Sequence, residues 1–385
     1  MDYLSLARGQ FDWMVDVRRA LHKIPEEGLK EYKTRALIKQ KLTEIGVPYE
    51  ESEKGWITAF VKGGEGTVTA IRGDIDALPV EEPEGLPFRS THPGWMHACG
   101  HDMHTAVMLG TARLLKNLPS FDGGALFMFE PAEETIGGAK MMAESGMMEK
   151  AGASRVYGMH VMPRLCVGQI ETRPLTLNAG TDGLTFTVHG VSSHGAYPEN
   201  GIDAIVCAAQ LVTALQSVVA RTVSPLENAV ITIGKIEGGK ADNILCDRVT
   251  MKGTLRIADE NLRSRIVKRI EDICDGVGKA MGCTVDCEIK RGYSALVNDP
   301  IHAKRVLDLA AQMVGPENTL IKDAPSMGAE DFSSFLDRVP GAFFHVGCAS
   351  DKDHPCAPLH SEKFLPDERT MLYGCAMEAA LINEK

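Results

Sequence analysis

The strongest constraint on the fold is the order of strand and helix signals between residues 184 and 290. Leu184–Val191 alternates apolar and polar residues like a half-buried strand, and Ile202–Ala220 reads as a helix. Ala229–Ile236 and Asp247–Ile257 read as strands. Asp259 is placed to cap a helix over Glu260–Met281, and Thr284–Lys290 is a last strand. The order β-α-β-β-α-β is that of the ferredoxin-like split motif. The block spans about 110 residues, enough for a domain of its own.

The flanks read differently. Short apolar runs at Ile57–Val61, Val68–Ile71, Ala125–Phe129 and Val156–Met159 alternate with helical patterns at Arg8–Leu21, Thr34–Ile45 and Thr105–Leu118, the last with Asp102 as its expected N-cap. After Tyr293 the pattern resumes with a helix at Ile301–Val314, a strand at Ala342–Val346 and a helix at Asp367–Ile382. Apolar strands alternating with helices predict an α/β fold, with a central mixed sheet flanked by helices. The expected organisation is one α/β domain in two parts, 1–180 and 293–385, interrupted by a ferredoxin-like insertion over 181–292.

Composition excludes several functions. A net charge of −11 leaves no basic stripe for nucleic acid. No stretch reaches the roughly 18 uninterrupted apolar residues of a membrane span. The segment from Met1 to Arg19 lacks the basic and apolar regions of a signal peptide, so the expected location is the cytoplasm. Ten cysteines scattered over 385 residues read as reduced thiols, with metal binding or reactivity for any special one.

Five short segments hold most of the metal-capable side chains: Arg72-Gly73-Asp74-Ile75-Asp76, His97-Ala98-Cys99-Gly100-His101-Asp102-Met103-His104, Glu130-Pro131-Ala132-Glu133-Glu134, Gly158-Met159-His160 and Leu359-His360-Ser361-Glu362. Three follow apolar runs, and sites in open α/β sheets form at the carboxyl ends of strands. The expected ligands are Cys99, His101, Glu134, His160 and His360. Such donors suit Zn, Mn, Co, Ni or Fe better than Mg or Ca. Two divalent ions against one thiolate and one carboxylate leave net positive charge to acidify a water. Glu133 and Glu134 are adjacent and cannot address one ion alike, so one reads as ligand and the other as general base. Asp74 and Asp76 can brace a ligand histidine or close an Asx-turn. His194 lies in a loop of the insertion, and His97 and His104 flank the motif as supports.

The chain is similar to the aminoacylase/carboxypeptidase superfamily of dinuclear metallopeptidases, in its branch of hippurate hydrolases, N-acyl-amino-acid amidohydrolases and auxin-conjugate hydrolases. The resemblance runs from Arg18-Arg19-Ala20-Leu21-His22-Lys23-Ile24-Pro25-Glu26 to Leu359-His360-Ser361-Glu362-Lys363-Phe364. It implies a two-metal catalytic domain and an inserted lid that also makes a homodimer. It implies Cys99 as the bridging thiolate that other branches replace with Asp, with His101, Glu134, His160 and His360 as the other ligands and Glu133 as general base. It implies His194 as an oxyanion donor reaching a partner's site, and Asn243 and Arg256 as holders of the substrate carboxylate. Where other branches have His-x-Asp, this chain has Asp74-Ile75-Asp76, so the supporting role is open between the two aspartates. The implied reaction is hydrolysis of an N-acyl amino acid. A dipeptidase, an N-acetyl-diaminopimelate deacetylase, a metal-binding scaffold and a Cys99 redox protein are the alternatives.

Overall fold

A computed structural model describes residues 1–383. The chain forms two compact units: one comprises Met1–Leu177, Val297–Ala324 and the chain from Asp331 onward, the other Asn178–Leu296 with Pro325–Glu330.

The first unit is built on an eight-stranded sheet in the order Tyr49–Glu51, Ile57–Lys62, Gly124–Glu130, Val68–Asp74, Ala153–Cys166, Gly341–Ala349, Ile170–Thr172, Thr319–Ile321. The four central strands, Gly124–Glu130 through Gly341–Ala349, run parallel, and antiparallel neighbours flank them, so the sheet is mixed. Gly124–Glu130 and Gly341–Ala349 are buried along their whole length, which is why they read as continuous apolar runs. Against them pack the helices His101–Asn117 and Thr370–Ile382, both nearly all buried.

The expected strands of this unit each lie within an observed one; in the insertion, Leu184–Val191 overruns Gly180–His189 and Asp247–Ile257 starts one residue before Arg248–Ile257. The expected Asp102 N-cap is incorrect. The helix begins at His101, its N-cap is Gly100, and Asp102 sits in the first turn. Asp102 instead accepts Arg18 Nε at 2.7 Å and lies 2.8 Å from His22 Nδ1, with Glu82 2.9 Å from His22 Nε2. Burial would raise the Asp102 pKa, but Arg18 and His22 hold it well below the usual carboxylate range. This buried network ties the helix Phe11–His22 to the first turn of the motif helix. The expected helix Arg8–Leu21 is two, Tyr3–Arg8 and Phe11–His22.

The helix Thr370–Ile382 carries one buried acid, Glu378. Thr111 Oγ1 lies 2.7 Å from Glu378 Oε2 and 3.0 Å from Val107 O. A hydroxyl has one proton, so a protonated Glu378 donating to Thr111, which donates to Val107, satisfies the chain of bonds. Burial pushes the Glu378 pKa from 4.5 to about 8. An acid with a raised folded pKa loses stability as pH climbs from the unfolded value, because the unfolded chain ionises first. The cost is on the order of 3 kcal/mol by pH 7. Glu378→Gln is therefore expected to raise the urea midpoint at pH 7 to 8 and to leave it nearly unchanged near pH 4.5. A gain independent of pH, or none, would contradict a neutral Glu378.

The second unit is a four-stranded antiparallel sheet in the order Thr284–Arg291, Gly180–His189, Arg248–Ile257, Ala229–Gly238, with the helices Ala204–Thr222 and Glu260–Met281. This is the ferredoxin-like topology. Asp203 and Asp259 cap the two helices through their side chains. Ala204–Thr222 is long and apolar enough to match a membrane span by length and composition. Its stripe Cys207, Ala208, Leu211, Leu215 and Val218 nevertheless lies in this unit's core, at the spacing of a helix packed on a sheet.

Candidate metal centre

The site lies at the carboxyl ends of the parallel strands of the first unit. Asp74 ends Val68–Asp74, and Glu130, beside it in register, ends Gly124–Glu130 and leads into Glu133-Glu134. His160 projects from Ala153–Cys166. Cys99 and His101 flank Gly100, whose φ of 91° is left-handed; a Cβ there would lie 2.5 Å from Val161 Cγ2. Only glycine fits both the torsion and the space, so the tight turn between the two donors follows from this residue. His360 is delivered by a loop whose backbone N–H donates to Ala98 O at 2.8 Å.

The five expected donors converge. Donor atoms of Cys99, His101 and His160 lie within 4.8 Å of one another, and so do those of Cys99, Glu134 and His360. Cys99 belongs to both groups. Its Sγ is 3.3 Å from His160 Nε2, and His360 Nε2 is 3.1 Å from Glu134 Oε1.

The histidine tautomers are set from outside. His101 Nδ1 lies 3.0 Å from Asp76 O and 3.2 Å from Asp76 Oδ1, and His160 Nδ1 lies 2.7 Å from Val161 O. Both Nδ1 positions therefore donate to oxygen, which turns each Nε2 toward the site. His101 Nε2 is buried with no hydrogen-bond partner among the described residues, as a ligand of a cation would be.

Burial would lower the His101 pKa, but Asp74, Asp76 and Glu134 raise it to about 10, so at neutral pH the ring carries a proton on Nε2 as well, which a cation at this position would displace. Burial and the charges of Glu134, Glu133 and Asp74 push the Cys99 thiol well up. A Cys99 thiolate therefore needs positive charge beside it, which divalent metal supplies. The donor set fits such ions.

The two aspartates differ. Asp76 braces His101 and accepts the Glu134 N–H on Oδ2 at 3.0 Å, so it touches both a donor side chain and the donor turn. Asp74 accepts from His104 Nδ1 at 2.6 Å and Arg72 Nη1 at 2.8 Å. His104 Nε2 in turn accepts the Val161 N–H at 3.1 Å, so both its nitrogens are engaged and neither is left for metal. His104 is a brace between two strands and the motif helix. His97 is fully buried, and its pKa is pushed down to about 3 by burial. Its ring nitrogens meet no hydrogen-bond partner among the described residues. The roles of His22 and Arg18 were missed from sequence, although their i, i+4 spacing put both on one helix face.

In the second unit His194 and Asn243 share one loop pair. Gly195 N–H donates to Asn243 O at 2.8 Å, and Leu245 N–H to Ser193 O at 2.9 Å. Both side chains are exposed. His194 Nδ1 accepts the Ala196 N–H at 3.0 Å, which puts the proton on Nε2. Arg256 is half-buried on Arg248–Ile257, and its Nη1 donates to Thr181 Oγ1.

Comparison with known proteins gives a consistent answer. The chain is 38% identical over 364 residues to N-acetyldiaminopimelate deacetylase of Exiguobacterium sibiricum, covering 94% of this chain and 96% of that one. It is 35% identical to IAA-amino acid hydrolase ILR1-like 4 of Arabidopsis thaliana, covering 98% and 87%. The solved structure of Bacillus subtilis YXEP protein, a dinuclear metal binding peptidase from the M20 family, superimposes with a TM-score of 0.85 at 30% identity, covering 97% and 98%. The model of peptidase family M20/M25/M40 matches residues 70–384. By that match and by its relatives, the chain belongs to peptidase family M20/M25/M40.

Proposed function

We propose that this family member hydrolyses N-acyl L-amino acids to a carboxylic acid and a free amino acid. The observation that carries this reading is the convergence of two donor groups on Cys99, with Nε2 of His101 and of His160 turned inward. In this reading Cys99, His101, Glu134, His160 and His360 would hold two divalent ions, with Cys99 common to both donor groups. Bound there, the ions would supply Lewis-acid polarisation of the amide carbonyl and a more acidic water. Glu133 is the general base of the hydrolytic water and returns the proton to the leaving amine. His194, with its proton on Nε2, donates to the developing oxyanion. Asn243 and Arg256 hold the substrate carboxylate. A homodimer, in which the inserted unit also serves a second copy, is the assembly this reading carries.

Support for N-acyl substrates comes from the deacetylase and the conjugate hydrolase among the relatives. The alternatives are a dipeptidase and an enzyme dedicated to N-acetyl-diaminopimelate. The test is a release assay across N-acetyl, N-benzoyl and longer N-acyl amino acids and dipeptides, with Mn, Zn, Co or Ni. Amino-acid release from N-acyl substrates is expected, lost on chelation and restored by metal. Release from dipeptides alone, or full activity after exhaustive chelation, would overturn the reading.

A further inference from the structure

The turn that carries Glu133 and Glu134 begins at Ala132, whose φ is 61°. An alanine in the left-handed region is strained, because its Cβ crowds the following carbonyl. Among the described residues four non-glycines hold a positive φ: Leu29, Ala132, Leu175 and His360. Two of these four donate to one atom. The N–H of Leu29 lies 2.9 Å, and that of Ala132 3.0 Å, from Glu31 Oε1.

Glu31 is placed for this purpose. It is fully buried. It stands at the N-cap of Tyr32–Glu44, yet its side chain makes no cap bond to that helix. The capping falls to Glu26, which accepts the N–H groups of Lys33 and Thr34. The Glu31 carboxylate is thus released to reach across to residue 132. The surrounding loop lies directly against the turn: a Cβ on Gly28 would fall 2.8 Å from Ala132 Cα and 2.6 Å from Thr135 Oγ1. On the other side Asp76 Oδ2 accepts the Glu134 N–H at 3.0 Å. The turn is held at both ends by carboxylates, one before Glu133 and one at Glu134.

We propose that Glu31 is a positioning residue of the metal centre: its Oε1 fixes the left-handed backbone of Ala132 and so sets the directions in which Glu133 and Glu134 project. The torsion at residue 132 rotates the chain up to the Glu134 N–H held by Asp76, so it sets the direction of Glu133 and of the peptide that leads into Glu134. Without the acceptor, the Ala132 N–H is buried and unbonded and the strained torsion loses its restraint. The roles of the two acids rest on the function proposed above; the backbone argument does not.

The test compares Glu31→Ala, Glu31→Gln and the double variant Glu31→Ala with Ala132→Gly, by titration with Mn2+ alone and by steady-state kinetics. Glu31→Ala is expected to weaken the looser Mn2+ about tenfold or more and to lower kcat about thirtyfold, with KM within about threefold. Glu31→Gln keeps an oxygen acceptor and is expected to stay within about threefold of wild type on both. The double variant is expected to recover most of the loss, because glycine holds a positive φ without strain. A folded Glu31→Ala protein with wild-type Mn2+ affinity and kcat overturns the proposal. So does a Gln variant, or a double variant, no better than Ala. If Glu31→Ala does not fold, the other two variants decide by the same criteria. If wild type releases no amino acid from any N-acyl substrate, the functional reading falls while the Mn2+ titration still decides the place of Glu31.

Discussion

Glu133→Ala is expected to keep both metals and the fold while kcat falls by about a thousandfold, within the range general-base removal gives. Glu133 is half-buried, and a carboxylate oxygen of it lies within 4.8 Å of the donor atoms of His101 and Glu134. It is close to the donor cluster but belongs to neither of the two groups that share Cys99. A residue there that acts on the proton of water changes kcat with little effect on KM, because ground-state binding does not use it. The checks are metal content, circular dichroism and kcat on the best N-acyl substrate. Near-normal turnover in this variant would end the assignment of Glu133 as base.

The second large effect is expected at Cys99. Cys99→Ala should bind one ion or none where wild type binds two, and lose activity at least about as completely as the base variant, since metal chemistry and base act as a unit. The reason is topological: Cys99 is the residue common to the two donor groups, so its removal weakens both. Cys99→Asp should retain more metal than Ala, because a carboxylate can also bridge. Metal analysis after gel filtration, with activity on the same sample, reads the result. Two tightly held ions and full turnover in Cys99→Ala would remove the bridging role.

Much of this was legible in the chain. The insertion's β-α-β-β-α-β order could be read because each element keeps its own period and the helix cap Asp259 is a local signal. The convergence of the metal-capable side chains could be read because such residue types cluster in short segments after apolar strands. Asp102 was misread for the opposite reason. Its local signal, an acid before an apolar helix, was real, but Arg18 and His22 from a distant helix claimed it. Asp74 and Asp76 could not be told apart by sequence, since two residues one apart on a strand exit look alike. The partners separate them: His104 and Arg72 for one, His101 and the Glu134 backbone for the other.

Glu31 marks the limit most sharply. Next to Tyr32–Glu44 it reads as an ordinary helix-start acid, and nothing local says that it serves residue 132. The sequence by itself determined which residue types are present, the period of each element, and the glycine at position 100 that forces Cys99 and His101 together. These follow from properties of neighbouring residues. The tertiary structure alone decided which carboxylate faces which nitrogen, which histidine nitrogen is turned toward the site, and which strained torsion is held. Those depend on burial and on partners tens to hundreds of positions away, where the cost of an unbonded polar group selects one arrangement.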